Sequence, residues 1–294
     1  MTEAQMNAAD HAYFNQGMKT ISTESSVLVS SSPYLNNAQL RNLIAQEMLR
    51  RNGPDIPNTA FIPEVAQILH MLEDHAKLYE IFEAEKARLP RFKEWLDARV
   101  LSDFTIEELE HCAPGTLGAA IRDFMVNSGY QLDFLFREIQ AVNDFTYYLR
   151  QTVLTHDIEH MVSGFGPNHG GEIALLNANM HAKARYFRPE LAAFFNRIPT
   201  YLKAKTLMKD GLFYPEAAAL NLEAEYQGSV QARNWKYPLM LVNWRAYVDV
   251  QIDDIREELG ITPVLPKGLW DDTNRFSMDP VVANDDAQMM QAAE

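Results

Sequence analysis

The chain is short of cysteine, of basic charge and of long apolar runs, and each shortage removes a class of protein. A single cysteine, Cys112, stands among 294 residues. One thiol forms no intrachain disulfide, so a disulfide scaffold, a Cys-rich zinc finger and an iron–sulfur cluster held by several cysteines are excluded. Such usage points to a reducing compartment. Lysine and arginine number 26 against 40 aspartates and glutamates, a formal net charge of −14. Phosphate backbones are gripped by clustered cations, so nucleic acid is not an expected partner. No stretch approaches the roughly 20 apolar residues that span a bilayer, and an apolar run such as Pro238 to Val242 is far too short. Residues 1–20 hold one lysine, no arginine and no apolar centre, unlike a secretory signal or an arginine-rich transit peptide. The expected setting is a bacterial cytoplasm.

The chain does have enough apolar material for a sizeable core, with 47% hydrophobic residues. Residues 1–36 are polar and carry the serines Ser22, Ser25, Ser26, Ser30, Ser31 and Ser32 ahead of Pro33, which suits a flexible lead-in. Residues 269–294 contain Asp271, Asp272, Asp279, Asp285 and Asp286 with little apolar period, which reads as an acidic, disordered tail. Between them, 37–268 is expected to form one compact domain.

Its apolar period is helical. Val65, Ile68, Leu69, Leu72, Leu78, Ile81 and Phe82 recur at spacings of three and four, and strand-like alternation is scarce. Helix-start signals recur at Pro63-Glu64, Thr105 with Glu108, Pro189-Glu190 and Pro215-Glu216. An all-α, multi-helix fold follows. Helices are predicted over Asn37–Arg51, Leu117–Asn127, Leu132–Val162, Glu172–Tyr186, Pro189–Lys209, Pro215–Gln231 and Trp244–Leu259.

The stretch from His156 to Glu172 reads HDIEHMVSGFGPNHGGE. On a helix, His156, Asp157 and His160 lie at about 0, 100 and 40 degrees and share one arc, whereas Glu159 falls at about 300 degrees and faces elsewhere. Glycines then break the helix, and a short turn can fold the next helix back so that Glu172 closes a site of two imidazoles and two carboxylates. That donor set suits zinc, ferrous iron or manganese, and ligand type alone does not choose among them. The bland alternative is a helix end bearing ordinary histidines and acids. A zincin would need Glu after the first His, and an HD-type phosphohydrolase would need further His and Asp from other helices that the sequence does not identify.

At these residues the chain resembles the coenzyme Q biosynthesis protein Coq-four family, whose signature is HDxxH, eleven residues, then E. His156, Asp157, His160 and Glu172 match it in full. Ala113–Ala120 is similar to the family's proline-glycine-threonine segment and Ile255–Ile261 to its closing segment, so the likeness covers about 95–265. The resemblance implies an all-helical fold with one divalent metal, usually zinc, acting in ubiquinone biosynthesis on a polyprenylated 4-hydroxybenzoate-type precursor. It implies either a catalyst that replaces the ring carboxylate by a hydroxyl at C1, a lyase-like step, or a non-catalytic scaffold that organises the other ubiquinone biosynthesis proteins. A metal-dependent hydrolase is a third reading, and a homodimer stays open. A closed four-ligand shell would favour the scaffold and an open position the catalyst. Zinc has no redox chemistry, whereas ferrous iron with dioxygen would supply an electron acceptor.

Two further expectations concern residues outside the signature. His169, in the glycine-rich turn, is a candidate proton shuttle, with a solvated loop histidine as the plain alternative. The stretch His181 to Lys209 is basic and interleaves Phe194 and Phe195 with Lys203, Lys205 and Lys209. It reads either as a membrane-surface helix that meets an isoprenoid lipid on the inner face of the membrane, or as a core stripe with a solvated charged face.

Overall fold

The computed structural model describes residues 30–52, 61–129 and 137–262, together with 132, 266, 269–271 and 273. The domain is all-helical, and no strand forms among the described residues. Its principal helices are α1 (Ala38–Leu49), α2 (Ile62–Met71), α3 (His75–Arg88), α4 (Pro90–Ala98), α5 (Leu117–Ser128), α6 (Asp144–Ser163), α7 (His169–Tyr186), α8 (Pro189–Phe213), α9 (Pro215–Ala232) and α10 (Ile252–Leu259). Proline at the first turn starts α4, α8 and α9, where its missing N–H has no intrahelical partner to lose. Glycines with positive φ end α5, α6 and α10, the left-handed closing residue that a side chain resists.

Several predicted boundaries shift for local reasons. The apolar run from Val65 to Phe82 divides into α2 and α3, because Asp74 caps a new helix by accepting from Lys77 N at 3.0 Å. The long helix predicted from Leu132 begins only at Asp144, where Asn143 and Thr146 form a reciprocal capping box. Thr105 and Glu108 form a similar box, but over one 3-10 turn, Glu107–Leu109. The helix predicted over Trp244–Leu259 splits, since the Val248 and Val250 carbonyls accept from Gly118 N at 2.8 Å and Leu117 N at 3.0 Å. Helical hydrogen bonding lost that competition.

The ends behave differently from each other. Residues 1–29 lie outside the described residues, while Ser32 caps the short turn Pro33–Asn36 inside the expected lead-in. At the C-terminal side the packed region runs past 268: Leu269, Trp270, Asp271 and Thr273 are described, and Trp270 and Thr273 are buried. The remainder of the acidic tail lies outside the described residues.

Among the described residues, three large apolar clusters and a small one around Tyr214 and Ala217 make the core. One surrounds the C-terminal half of α6 with α5, α7, α9 and α10, and a second packs α3, α4 and the start of α6 around Phe187–Phe195. The third joins α1 and α2 to Tyr201 of α8, so α8 crosses from one cluster to the next. This placement overturns the reading of α8 as a lipid-facing surface. Phe194 and Phe195 are core residues. Lys205, 1% exposed, meets Glu47 at 2.5 Å, Lys209 donates to Asn52 at 2.6 Å, and Lys203 pairs with Glu225 at 2.8 Å. The physical cause is a set of acceptors, Glu47 of α1, Asn52 just beyond it and Glu225 of α9, which meet the basic face from the inside.

Removing the cation of a buried pair leaves an uncompensated charge, at a cost of about 3–5 kcal/mol. Lys205→Ala should therefore lower the unfolding free energy by that order in urea titrations; a loss below about 1 kcal/mol would show that Glu47 and Lys205 do not hold α1 to α8.

Candidate metal centre

The site is assembled by the α6–α7 hairpin. Gly164, at φ 79°, closes α6 by donating its N–H to the His160 carbonyl at 2.9 Å. Asn168 then caps α7, accepting from Gly171 N at 2.8 Å. A Cβ on Gly171 would overlap the Gly166 carbonyl, so only glycine lets the turn come this close to the helix start. The α7 helix begins at His169, earlier than predicted, and Glu172 falls in its first turn, where the helix dipole favours a carboxylate.

His160 is 7% exposed and its Nδ1 lies 3.0 Å from the Phe165 carbonyl oxygen. A carbonyl only accepts, so Nδ1 carries a hydrogen, and the ring turns its Nε2 toward Glu172 Oε1, 3.2 Å away. His156 Nε2 stands 3.3 Å from Glu172 Oε2, and its Nδ1 is 3.2 Å from Asp157 Oδ1. The two rings lie 4.8 Å apart at 75°. One donor atom from each of His156, His160 and Glu172 lies within 4.8 Å of the others, and Asp157 is not in that group. Its carboxylate backs the far side of the His156 ring instead.

The charges are tightly coupled. Burial acts to lower the His156 pKa, but the Glu172 and Asp157 carboxylates outweigh it and raise the imidazole well above its usual value. Burial acts to raise the Glu172 pKa, and His160 and His156 outweigh it and hold the carboxyl well below the usual range. A nitrogen lone pair and a carboxylate oxygen at 3.2 Å repel unless a proton or a cation lies between them. Each nitrogen lies 3.2–3.3 Å from its own carboxylate oxygen, close to the donor–donor spacing of about 3.3 Å that bonds of about 2.0–2.1 Å to one ion give. The donor set therefore fits a divalent ion. Its outer side is open, with the His156 and Glu172 side chains 42% and 47% exposed.

The remaining acidic and basic candidates face elsewhere. Glu159 is buried and accepts from Thr155 Oγ1 at 3.1 Å and Asn179 Nδ2 at 2.7 Å. His169 is not a solvated loop residue: it is buried as the first residue of α7, burial lowers its pKa, and its side chain meets Asn221. Asn221 also donates to Asp210, whose carboxyl burial pushes up to about 6. Beside it, burial brings Lys209 down to about 8.

Sequence reasoning missed the supports of this hairpin. The Phe165 carbonyl is a backbone atom and leaves no composition signal. Trp270 lies against Gly170, where a Cβ would enter the indole at about 2.5 Å. Asn168 Nδ2 donates to the Leu269 carbonyl and to Asp271 Oδ1, both at 3.0 Å, and Gly170 N donates to Thr273 Oγ1 at 3.0 Å. A lone tryptophan at the head of an acidic stretch was the available signal. Arg256 of α10 caps the other side, donating to the Val162 carbonyl at 2.8 Å and the Met161 carbonyl at 3.2 Å.

Known proteins agree with this architecture. Residues 98–265 match the family described as coenzyme Q (ubiquinone) biosynthesis protein Coq4. A crystal structure from Nostoc punctiforme PCC 73102, of a protein assigned by name to ubiquinone biosynthesis, superposes with a TM-score of 0.55 at 22% identity, covering 69% of this chain and 88% of that one. That likeness speaks for the fold. No curated protein sequence matches the chain.

The Asp210 carboxyl supplies a pH test of the polar layer beneath His169. Its native pKa of about 6 lies above the ordinary 3.8, so the folded state binds the extra proton, and the stability present below pH 4 is lost as pH rises through 6. Asp210→Asn should then stabilise the protein by about 3 kcal/mol at pH 8 and hardly at all at pH 4. Equal effects at both values in urea titrations would contradict the assignment.

Proposed function

Since the chain belongs to the coenzyme Q (ubiquinone) biosynthesis protein Coq4 family and so has its role in ubiquinone biosynthesis, we propose that it is a metal-dependent enzyme of that route. Its substrate is a polyprenylated 4-hydroxybenzoate-type precursor, and its reaction is an oxidative decarboxylation at C1: the ring carboxylate leaves as carbon dioxide, water supplies the oxygen of the new hydroxyl, and dioxygen takes up the two electrons and two protons as hydrogen peroxide. The observation that supports catalysis over a purely structural role is the form of the donor cluster: three donor atoms lie within 4.8 Å of one another, and two of the side chains that carry them, His156 and Glu172, are 42% and 47% exposed to solvent. Structural sites close their shell with protein ligands, whereas catalytic sites keep a position for water or substrate.

In this reading His156 Nε2, His160 Nε2 and the Glu172 carboxylate hold one divalent ion, zinc, iron or manganese. When bound, that ion supplies Lewis-acid stabilisation of the negative charge that develops as the carboxylate leaves. The Phe165 carbonyl fixes the tautomer and angle of His160, and Asp157 does the same for His156 through Nδ1. His169, buried and joined to Asn221, anchors the first turn of the helix that carries Glu172 rather than serving as a shuttle.

Elemental mass spectrometry on protein purified without an affinity tag, paired with an assay for the C1 product, tests this. Wild type should carry about one equivalent at this centre. His160→Ala and Glu172→Gln should lose both metal and product. Asp157→Asn should retain the site with affinity weakened about 10–100-fold, because it removes an orienting carboxylate and not a ligand. Metal-loaded protein that yields no C1 product yet still assembles with other ubiquinone biosynthesis proteins would replace the catalyst by the scaffold. Metal content unchanged in Glu172→Gln would remove the site altogether.

A further inference from the structure

A second constellation of donors lies apart from the α6–α7 hairpin. His111 and Cys112 sit in the loop before α5, and Asp249 sits in the segment before α10. The two segments are stitched together by backbone hydrogen bonds, from Leu117 N and Gly118 N to the Val250 and Val248 carbonyls and from Ile252 N to the Gly115 carbonyl. Cys112, the only thiol of the chain, is buried, while His111 and Asp249 are 61% and 68% exposed. A Cβ on Gly118 would collide with the Cys112 sulfur, so the glycine leaves the space in which that sulfur is held.

The separations are specific. His111 Nε2 lies 3.2 Å from Asp249 Oδ1, and Cys112 Sγ lies 3.8 Å from each of those atoms. A triangle with these edges admits a point about 2.0 Å from the nitrogen and the oxygen and about 2.3 Å from the sulfur, the bond lengths zinc makes to imidazole, carboxylate and thiolate. The same geometry excludes a nucleophilic relay. In a Cys-His-acid triad the imidazole uses one ring nitrogen for the nucleophile and the other for the acid. Here both contacts fall on Nε2.

We propose that His111, Cys112 and Asp249 form a second site for a zinc-class divalent cation, with water completing the shell on the exposed side. Binding replaces the S–H bond of Cys112 by a sulfur–metal bond and releases the proton to solvent. The ion ties the loop that starts α5 to the segment that starts α10. Because it binds the folded chain and not the dispersed donors, it raises stability by mass action. The site shares no residue with His156, His160 and Glu172, so it stands or falls independently of the proposed activity.

Cobalt(II) titration of the full chain reads it directly, because only a cobalt–thiolate bond gives the intense near-ultraviolet charge-transfer band and the chain has one cysteine. Wild type and Glu172→Gln should both develop the band, and Cys112→Ser should lose it together with one of two equivalents of bound metal. Asp249→Asn guards against a folding artefact at the buried cysteine: it should leave the metal-free melting temperature unchanged, weaken cobalt binding by more than about tenfold, and abolish the rise in melting temperature that zinc gives wild type. No thiolate band in wild type, or a band and affinity unaltered by Asp249→Asn, would overturn the proposal.

Discussion

One carboxylate, Glu172, stands 3.2–3.3 Å from the Nε2 atoms of two histidines carried by the preceding helix, and the architecture of the α6–α7 region follows from keeping it there. Three like-sided electron-rich groups do not gather without positive charge between them. The fold meets that demand by geometry and not by a long-range field: a left-handed Gly164, a turn tight enough to need Gly171, and a cap from Asn168 fix where α7 begins. Moving the start of α7 by one residue would rotate Glu172 by about 100 degrees and take it out of the cluster.

The rest of the domain locks that hairpin from several directions. Arg256 binds the carbonyls at the end of α6, Trp270 and Thr273 close over the start of α7, and Gly228 of α9 lies directly against the Ala174 carbonyl of α7. Beneath this layer, buried polar groups are matched between elements: Lys205 of α8 with Glu47 of α1, Lys209 with Asn52 beyond α1, and Asp210 with Asn221 of α9. Buried pairs of this kind cost desolvation and add little net stability, yet a mispacked register would strand a charge. They therefore specify which faces of α1, α8 and α9 meet.

How much of this was legible depended on the distance over which the information acts. The all-helical class, the caps and the hairpin itself are local, and the sequence carried them: apolar spacing of three and four, proline at helix starts, and glycines between His160 and Glu172. The rotation of His156, Asp157 and His160 onto one arc was also local, but Asp157 turns to His156 Nδ1 instead of joining the converging donors. A helical wheel gives direction and not reach, so it does not separate a short aspartate behind a ring from one beside it. The basic stretch in α8 left two readings open for the opposite reason. Its spacing suits a membrane surface as well as a buried face, and the residue that decides, Glu47, lies 158 positions from Lys205. The docking of Trp270 and the meeting of Cys112 with Asp249 are likewise contacts across the fold, with no spacing rule to announce them.

The most direct test of the account is anomalous diffraction at the zinc absorption edge from crystals of the full chain grown with zinc. The expected map holds a peak within bonding distance of His156 Nε2, His160 Nε2 and a Glu172 oxygen, with Asp157 still against His156 Nδ1 and one coordination position facing solvent. A map with no peak between those three side chains, or with an ion enclosed by four protein ligands and no open position, would contradict the reading of this hairpin as a catalytic metal centre.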